Sequence, residues 1–431
     1  MKTKLSNSIQ CIAVFALFSL TFCSKKEDSS RLNLLVGAAA LNRSGTFGTL
    51  GSTGTGTGTG TSASAPSGLS YNSSPLSFLQ GSAVNVTPTV TGTVTNCTSS
   101  TSLPSGLSLS STTCSISGTP SAVQSAANYT ITASNSVGST TASVSISVTS
   151  NGSAWTARTL PSSVNWISVT YGNGIFVAIG QNSTAAATSP DGITWTARTL
   201  PSSVSWISVT YGNGIFVAIA QSSTIAASST DGITWTARTM PSIAQWMSVT
   251  YGNGVFAAVA GGGSTAAASS TDGITWTART MPVNSGWYSV VYGNGVFASV
   301  TGGSSNAATS PDGISWTART LPSASNWFSV AYGNGVFVTL AFGSTNAATS
   351  PDGITWTART LPNSSNWFSV AYGNGVFVAL ASNSTVAATS ADGITWTART
   401  LPSSVNWSSV AYGNGIFAAI SIGGTTAATS P

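Results

Sequence analysis

The sequence predicts an all-β protein, in which a seven-bladed β-propeller follows a small β-sandwich and a flexible tether. The pentapeptide WTART recurs seven times at spacings of 40 or 41 residues, and a second tryptophan opens the motif W-x-S-V-x-Y-G-N-G in every unit. Strand-rich units of about 40 residues are typical of propeller blades. The WTART copies begin at Trp155, Trp195, Trp235, Trp276, Trp316, Trp356 and Trp396, and the second motif begins at Trp166, Trp206, Trp246, Trp287, Trp327, Trp367 and Trp407.

Each unit divides into four short strands separated by turn residues. In the first unit, Asn-Gly within Gly172-Asn173-Gly174 predicts a tight hairpin, and Pro190-Asp191-Gly192 predicts a second turn. Four antiparallel strands per unit are expected from this spacing. We predict them at Trp166–Tyr171, Ile175–Ile179, Thr184–Ser189 and Ile193–Thr199.

The two ends of the repeat region complement each other. An isolated fourth strand, Trp155–Thr159, precedes the first full unit, and the last unit stops after its third strand, Thr425–Ser430. Pairing these two strands would complete the seventh blade and close the ring. We therefore predict a propeller over residues 151–431 in which both ends share one blade.

The N-terminus predicts export and lipid anchoring. Lys2 and Lys4 precede a 12-residue apolar run, Cys11–Phe22, which is too short to span a bilayer but suits a signal peptide at residues 1–22. The following Leu20-Thr21-Phe22-Cys23 resembles a lipobox of spirochaete-like bacterial lipoproteins, although Phe22 replaces the usual small residue. This resemblance implies acylation of Cys23 and a cell-envelope location, in the outer membrane or at the cell surface. Simple secretion and a retained signal anchor are the alternatives.

Residues 23–65 form the expected tether, and residues 66–150 form a separate β-domain. The tract from Gly51 to Pro66 is low in complexity and rich in Gly, Thr and Ser, so it is typical of a flexible linker. The β-domain contains no charged residue, and its alternation predicts that Val144, Ile146 and Val148 share one buried face. Cys97 and Cys114 lie 17 residues apart and are expected to form a disulfide in an exported protein; two buried free thiols are the alternative.

This β-domain resembles the putative-Ig (cadherin-like) modules of bacterial surface proteins. The resemblance rests on Leu103–Leu109 (LPSGLSL) and Ile116–Pro120 (ISGTP), with Cys114 where a glycine is usual. It implies an Ig-like sandwich acting as a spacer. Some cadherin-like domains bind calcium, but calcium requires several carboxylate oxygens and this segment has none. We expect no metal site.

The Asp-Gly turns resemble the Asp-box of sialidase-type propellers, with one residue fewer between Asp and Gly. The resemblance covers some 280 residues, but it concerns architecture and not activity. We expect these aspartates to cap turns by accepting backbone N–H groups. They are Asp191, Asp231, Asp272, Asp312, Asp352 and Asp392.

Composition argues against several classes of function. The chain has no histidine, only 5% charged residues, and no Glu between residues 151 and 431. The propeller carries seven Arg and six Asp, each at one repeat position, so no blade carries a charged residue outside these two positions and no basic patch suggests nucleic-acid binding. We expect no cofactor and no enzymatic activity; a sialidase-fold hydrolase is the weakest alternative.

Variation among the repeats points to one face of the propeller. The Gly-Asn-Gly and Asp-Gly turns are constant, whereas the segments after WTART and after the second strand vary; by topology the two variable segments share one face. Neutral drift explains this pattern as simply as ligand binding does. The candidate binding residues are the amides Asn165, Gln181, Asn182, Gln245, Asn326, Asn366 and Asn383, with Trp166, Trp327 and Trp367 as stacking planes. Packing of these tryptophans between blades is the alternative.

Together these observations predict a lipid-anchored, monomeric surface protein whose propeller binds an extracellular glycan or protein without catalysis. Seven nearly equal blades predict several weak binding sites, whose avidity would supply useful overall affinity. A structural or envelope-assembly protein without a specific ligand is the main alternative.

Overall fold

A computed structural model describes residues 63–149 and 152–430, and every regular element in these residues is a β-strand. Residues 1–62, which include the predicted signal peptide, Cys23 and most of the tether, lie outside the described residues. Nine strands precede the propeller: β1 (Ser67–Ser70), β2 (Leu76–Leu79), β3 (Val84–Val86), β4 (Thr89–Thr91), β5 (Asn96–Ser99), β6 (Leu107–Leu109), β7 (Ile116–Gly118), β8 (Gln124–Ser134) and β9 (Ser139–Thr149).

These nine strands form an Ig-like sandwich. One sheet has the order β2-β9-β8-β5, with β2 parallel to β9; a second has the order β3-β7-β6, and β1 pairs with β4. Val144, Ile146 and Val148 are fully buried, so the predicted face of β9 is confirmed. Cys97 in β5 and Cys114, two residues before β7, form a disulfide in the core of the sandwich.

The propeller consists of 23 further strands, β10 to β32. They are β10 (Thr156–Gly172), β11 (Ile175–Gln181), β12 (Ser183–Ser189), β13 (Thr196–Val204), β14 (Trp206–Gly212), β15 (Ile215–Ala220), β16 (Ser223–Ser229), β17 (Thr236–Ala244), β18 (Trp246–Gly252), β19 (Val255–Ala260), β20 (Ser264–Ser270), β21 (Thr277–Gly293), β22 (Val296–Gly302), β23 (Ser304–Ser310), β24 (Thr317–Ser325), β25 (Trp327–Gly333), β26 (Val336–Ser350), β27 (Thr357–Gly373), β28 (Val376–Ala381), β29 (Ser384–Ser390), β30 (Thr397–Gly413), β31 (Ile416–Ile422) and β32 (Gly424–Ser430).

Each blade is a four-stranded antiparallel sheet, as the repeat predicts, and in blade 5 the second and third strands are continuous as β26. In blade 1, Tyr171 of β10 pairs with Phe176 of β11, Ala178 of β11 pairs with Ala187 of β12, and β12 pairs with β13. Asn173 and Gly174 have positive φ angles of 48° and 79°, which is the geometry of the tight hairpin expected from Asn-Gly. The blades follow the chain in order, from blade 1 at Trp166 to blade 7 at Trp407.

The connection between blades differs from the prediction. The segment after WTART lies outside the four predicted strands, but in β10, β21, β27 and β30 it is extended and joins the fourth strand of one blade to the first strand of the next. In β10, Val164 pairs with Gly424, so this segment keeps contact with the third strand of blade 7. The fourth strand also begins later than predicted, at Thr196 in blade 1, because residues 190–195 form the turn.

The two ends of the propeller close the ring in blade 7. Residues 156–159 of β10 pair with β32 in the register Thr156↔Thr429 to Thr159↔Thr426. The fourth strand of blade 7 therefore comes from the start of the repeat region, and the predicted closure is confirmed.

A ring of buried serines joins neighbouring blades around the propeller axis. The serine of each W-x-S-V motif accepts a hydrogen bond through its Oγ from the backbone N–H of the valine in the next blade, at 2.9 to 3.3 Å. These serines are at most 1% exposed. The ring consists of Ser168, Ser208, Ser248, Ser289, Ser329, Ser369 and Ser409.

Candidate functional site

The antiparallel blades place the loops on two opposite faces. We call the face with the Gly-Asn-Gly hairpins and the Asp-Gly turns, residues 172–174 and 190–194 in blade 1, the turn face. We call the opposite face the loop face; in blade 1 it carries residues 161–165 and 181–182. The grouping of constant segments on one face and variable segments on the other therefore follows from the strand pairing.

On the turn face, each aspartate holds its own turn together. In blade 5, Oδ1 of Asp352 accepts hydrogen bonds from the N–H groups of Ile354 and Thr355, both at 2.9 Å, and from the hydroxyl of Ser350 at 3.0 Å. The N–H of Thr355 lowers the pKa of Asp352, partial burial raises it, and the N–H of Ile354 lowers it again, so that the net pKa is below its usual value. The other five aspartates bind the corresponding groups of their turns.

The arginines of WTART are also bound within their own blades. Nε of each arginine donates a hydrogen bond to a Thr or Ser hydroxyl on the third strand, at 2.8 to 3.0 Å. Seven equivalent arginines thus occupy seven equivalent positions. They are not gathered into a cluster that would receive an anionic substrate.

The inner-strand tryptophans cannot serve as stacking planes on the loop face. Trp166 and Trp367 are fully buried and Trp327 is 1% exposed. Each indole N–H donates a hydrogen bond to the backbone carbonyl four residues earlier, as from Trp166 to Ser162 at 2.9 Å. The assignment of these three residues to a ligand surface is therefore wrong, because their rings pack within the core, as the alternative interpretation holds.

Five of the seven candidate amides meet at one place on the loop face. They line a cavity of about 380 Å³ beside the propeller axis, where blades 1, 6 and 7 adjoin. Gln245 and Asn326 do not line it; both are exposed, on blades 3 and 5. The five amides are Asn165, Gln181, Asn182, Asn366 and Asn383.

The remaining lining residues were not among the candidates. Phe342 and Phe368 form an aromatic wall, with ring centroids 6.3 Å apart and an interplanar angle of 70°. Asn406 adds a sixth amide, Ser382 adds a hydroxyl and Ile422 adds an apolar side chain. The sequence did carry a signal for two of them: Phe368 is one of the aromatic residues that follow the inner tryptophans of blades 4 to 6, and Asn406 precedes its inner tryptophan as Asn165 and Asn366 do.

The cavity is polar but uncharged. Gln181 donates from Nε2 to the Ser205 hydroxyl at 3.2 Å, and the Ser382 hydroxyl donates to Oδ1 of Asn406 at 3.4 Å. No hydrogen bond within the described residues involves the side-chain amides of Asn165, Asn366 or Asn383. These amides can therefore offer donors and acceptors to a ligand.

A second depression of about 300 Å³ lies where the sandwich meets blade 6. Leu79 and Ser82 of the sandwich line it together with Asp392 and Arg399. Asp392 already accepts hydrogen bonds from the N–H groups of Ile394 and Thr395, and Arg399 donates to Thr389. Its charged groups therefore serve the turn and the blade.

Within residues 63–149 and 152–430, no three or more metal-ligating side chains form a cluster. This part of the chain also contains no helix of the length and apolar character required to cross a membrane.

Two family descriptions match this chain. Residues 59–149 match the family described as "Putative Ig domain". Residues 121–247 match the "DUF6242 beta propeller domain", which covers the end of the sandwich and the first blades. The protein thus carries an Ig-like domain and a β-propeller domain. No curated protein is similar in sequence to the chain.

Solved structures with a similar fold are distant in sequence. A streptogramin B lyase is 10% identical, with a TM-score of 0.58 over 64% of this chain and 98% of that one. A catalytically inactive virginiamycin B lyase from Staphylococcus aureus, with quinupristin, gives the same identity and TM-score over 64% of this chain and 100% of that one. At this identity the similarity shows the propeller fold alone.

Proposed function

We propose that this protein is a lipid-anchored protein of the cell envelope, whose propeller binds an extracellular glycan or protein on its loop face without catalysis. The observation that carries the proposal is the cavity beside the axis, where six side-chain amides surround an aromatic wall. Ligand sites in proteins are typically concave and mostly pre-formed, with a few convergent polar groups. On the turn face, the aspartates are occupied by the N–H groups of their own turns.

The chemistry of the lining favours binding over catalysis. The cavity contains no carboxylate, no lysine and no arginine, so it provides neither a general acid nor a general base for glycoside hydrolysis. The S. aureus lyase variant described as inactive replaces a histidine by alanine, and the present sequence contains no histidine. We therefore do not carry lyase or sialidase chemistry over to this chain.

The anchoring part of the proposal rests on the sequence of residues 1–23. Metabolic labelling with a palmitate analogue tests it: the wild-type protein should become labelled and Cys23→Ser should not. Labelling of the Cys23→Ser variant would contradict acylation at this residue, and would leave the propeller's binding role untouched.

The binding part is tested with a glycan array and a panel of extracellular proteins, using the chain from residue 24 onwards. A variant carrying Asn366→Ala and Asn406→Ala should lose the signal, because both amides line the cavity. Asn326→Ala is the matched control, since Asn326 occupies the same repeat position on blade 5 but does not line it. Equal binding by the double variant and wild type would overturn the loop-face site.

The alternatives predict different results in the same experiments. A purely structural envelope protein would bind neither the glycans of the array nor the proteins of the panel. It would leave intact envelopes only when its lipid anchor is removed. A hydrolase of the sialidase fold would turn over a fluorogenic sialoside. Turnover that increases with the concentration of purified protein would contradict the non-catalytic assignment.

A further inference from the structure

One blade carries a small residue at a position where the other six blades carry large ones. The variable position of W-x-S-V lies on the inner strand, and in six blades it is filled by a bulky side chain near the axis. Tyr288 contacts Phe328, and Phe328 contacts Phe368, with ring centroids 5.4 and 4.8 Å apart. The seven residues are Ile167, Ile207, Met247, Tyr288, Phe328, Phe368 and Ser408.

Ser408 breaks this ring between Phe368 of blade 6 and Ile167 of blade 1. Its side chain is fully buried, and its hydroxyl is bound to the carbonyl of Trp166 at 2.7 Å and to that of Ile420 at 3.1 Å. The hydroxyl is therefore turned towards the backbone, and Ser408 itself does not line the cavity, unlike Phe368 at the equivalent position of blade 6. The cavity lies at this break, lined by residues of blades 1, 6 and 7 together with Phe342 of blade 5.

On the other half of the propeller the corresponding space is filled. In blade 4 the ring of Tyr288 lies over Gly302, where an added Cβ would be only 1.8 Å from the ring. In blades 2 and 3, Nε2 of Gln221 contacts the sulfur of Met247 at 3.4 Å. The set of side chains that lines the cavity is therefore not repeated at the equivalent positions of blades 2 to 4.

We infer that the propeller binds one neutral sugar residue in this cavity, with a stoichiometry of one, and that Ser408 is the residue that makes the site. This inference rests on the proposed binding function and specifies its ligand. A sugar ring presents hydroxyl groups to the surrounding amides and an apolar C–H surface to Phe342 and Phe368. A volume of about 380 Å³ is near the lower end for ligand pockets, which suits one sugar residue of a longer chain.

The lining also determines the charge of the ligand. Neither the carboxylate of an acidic sugar nor an ammonium group would find an opposite charge in the cavity, and moving an unpaired charge out of water is unfavourable. Neutral hexoses and N-acetylhexosamines are therefore the expected ligands, and sialic and glucuronic acids are the expected non-ligands.

NMR of isoleucine δ1 methyl groups in the chain from residue 24 onwards tests the inference at the site itself. The probes are glucose, galactose, mannose, N-acetylglucosamine and N-acetylgalactosamine, with sialic acid and glucuronic acid as charged controls. At least one neutral sugar should shift the methyl signal of Ile422, which lines the cavity. The signals of Ile193 and Ile394, which are exposed in the turns of the opposite face, should not move.

Two variants that fill the cavity from different positions provide the controls. Ser408→Phe introduces the residue that blades 5 and 6 carry at this position, and Ser382→Phe introduces the residue that blade 5 carries as Phe342. Each should reduce affinity by roughly tenfold or more, because a filled site cannot accept the ring. Asn326→Ala should bind like wild type, and unchanged melting temperatures would show that the variants are folded.

The outcomes separate this inference from the proposed function. Array binding that persists in both filled variants would contradict the assignment of the sugar site to the cavity. Sugar-induced shifts confined to methyl signals other than that of Ile422 would contradict it as well. Neither result would contradict binding elsewhere on the loop face. A shift of Ile422 by charged sugars alone would overturn the neutral-sugar assignment. No shift with any sugar, together with a blank array, would overturn the inference and the glycan part of the proposed function.

Discussion

Oγ of Ser409, in the last blade, accepts a hydrogen bond of 2.9 Å from the backbone N–H of Val169, in the first. The same contact links every other pair of neighbouring blades. The bond between Val169 and Ser409 completes this ring, although the two residues are 240 positions apart in sequence. The strand pairing of β10 with β32 closes the same two blades at the outer edge. The propeller is therefore closed twice, once at its axis and once at its rim.

Deleting residues 151–159 should strongly destabilise the propeller. The deletion removes the fourth strand of blade 7 and leaves β32 as an unpaired edge next to a ring that can no longer close. We expect calorimetry to show the propeller transition at least about 5 °C lower, since 1 kcal/mol corresponds to roughly 2–4 °C in domains of 150–250 residues. An unchanged transition would mean that the rim closure contributes nothing.

Replacing one member of the ring of buried serines should lower the free energy of unfolding more than replacing a serine on the surface. Ser168→Ala leaves the buried N–H of Val209 without its acceptor, which should cost about 1–3 kcal/mol. Ser163→Ala is the control, because Ser163 is exposed and surface substitutions usually change stability by about 0.5 kcal/mol or less. Equal unfolding free energies in denaturant for the two variants would contradict the role of the ring.

The aspartates of the turn face should stabilise the propeller in a pH-dependent way. The pKa of Asp352 is lowered in the folded protein, mainly by the N–H of Thr355, so its contribution is complete above the unfolded pKa of about 3.9 and is lost as the pH falls through the folded value. Asp352→Asn should therefore unfold at a lower temperature than wild type at pH 7, and the difference should shrink towards pH 2. A difference that is independent of pH would show that the charge is not involved. Ligand affinity should not change, because Asp352 lies on the opposite face.

Reduction of the disulfide should affect the sandwich and spare the propeller. Cys97 and Cys114 close a loop of 17 residues, which contributes roughly 3 kcal/mol by chain entropy. A Cys97→Ser and Cys114→Ser double variant should therefore unfold its sandwich at lower denaturant concentration, while the propeller transition stays in place. A shift of both transitions together would show that the two domains unfold as one unit.

The sequence was sufficient for the architecture because the fold repeats and the motifs are local. WTART, the Asn-Gly hairpins and the surplus strand at Trp155–Thr159 each act within one blade or at its edge, so the blade count and the closure could be derived from spacing alone. The loop face could also be derived, since antiparallel order fixes which connections lie together.

The site could be predicted only in part, because it depends on contacts between blades. Asn165 and Asn366 come from blades 1 and 6, and nothing in their spacing shows that they face one cavity. The role of Ser408 could not be predicted from the sequence. Ser408 stands where the other blades carry a bulky residue, but this difference has a meaning only once the position is known to lie near the axis. The prediction for the tryptophans was wrong because an aromatic residue next to a variable loop suggests an exposed ring. The ring of Trp166 is instead buried in the core.

The most direct test of the account is a crystal structure of the protein with the neutral sugar that gives the strongest signal on the array. One sugar residue per chain should lie beside Phe368, with hydrogen bonds to the surrounding amides. Sugar density on the turn face, or repeated at equivalent positions of several blades, would contradict the assignment of a single site to this cavity.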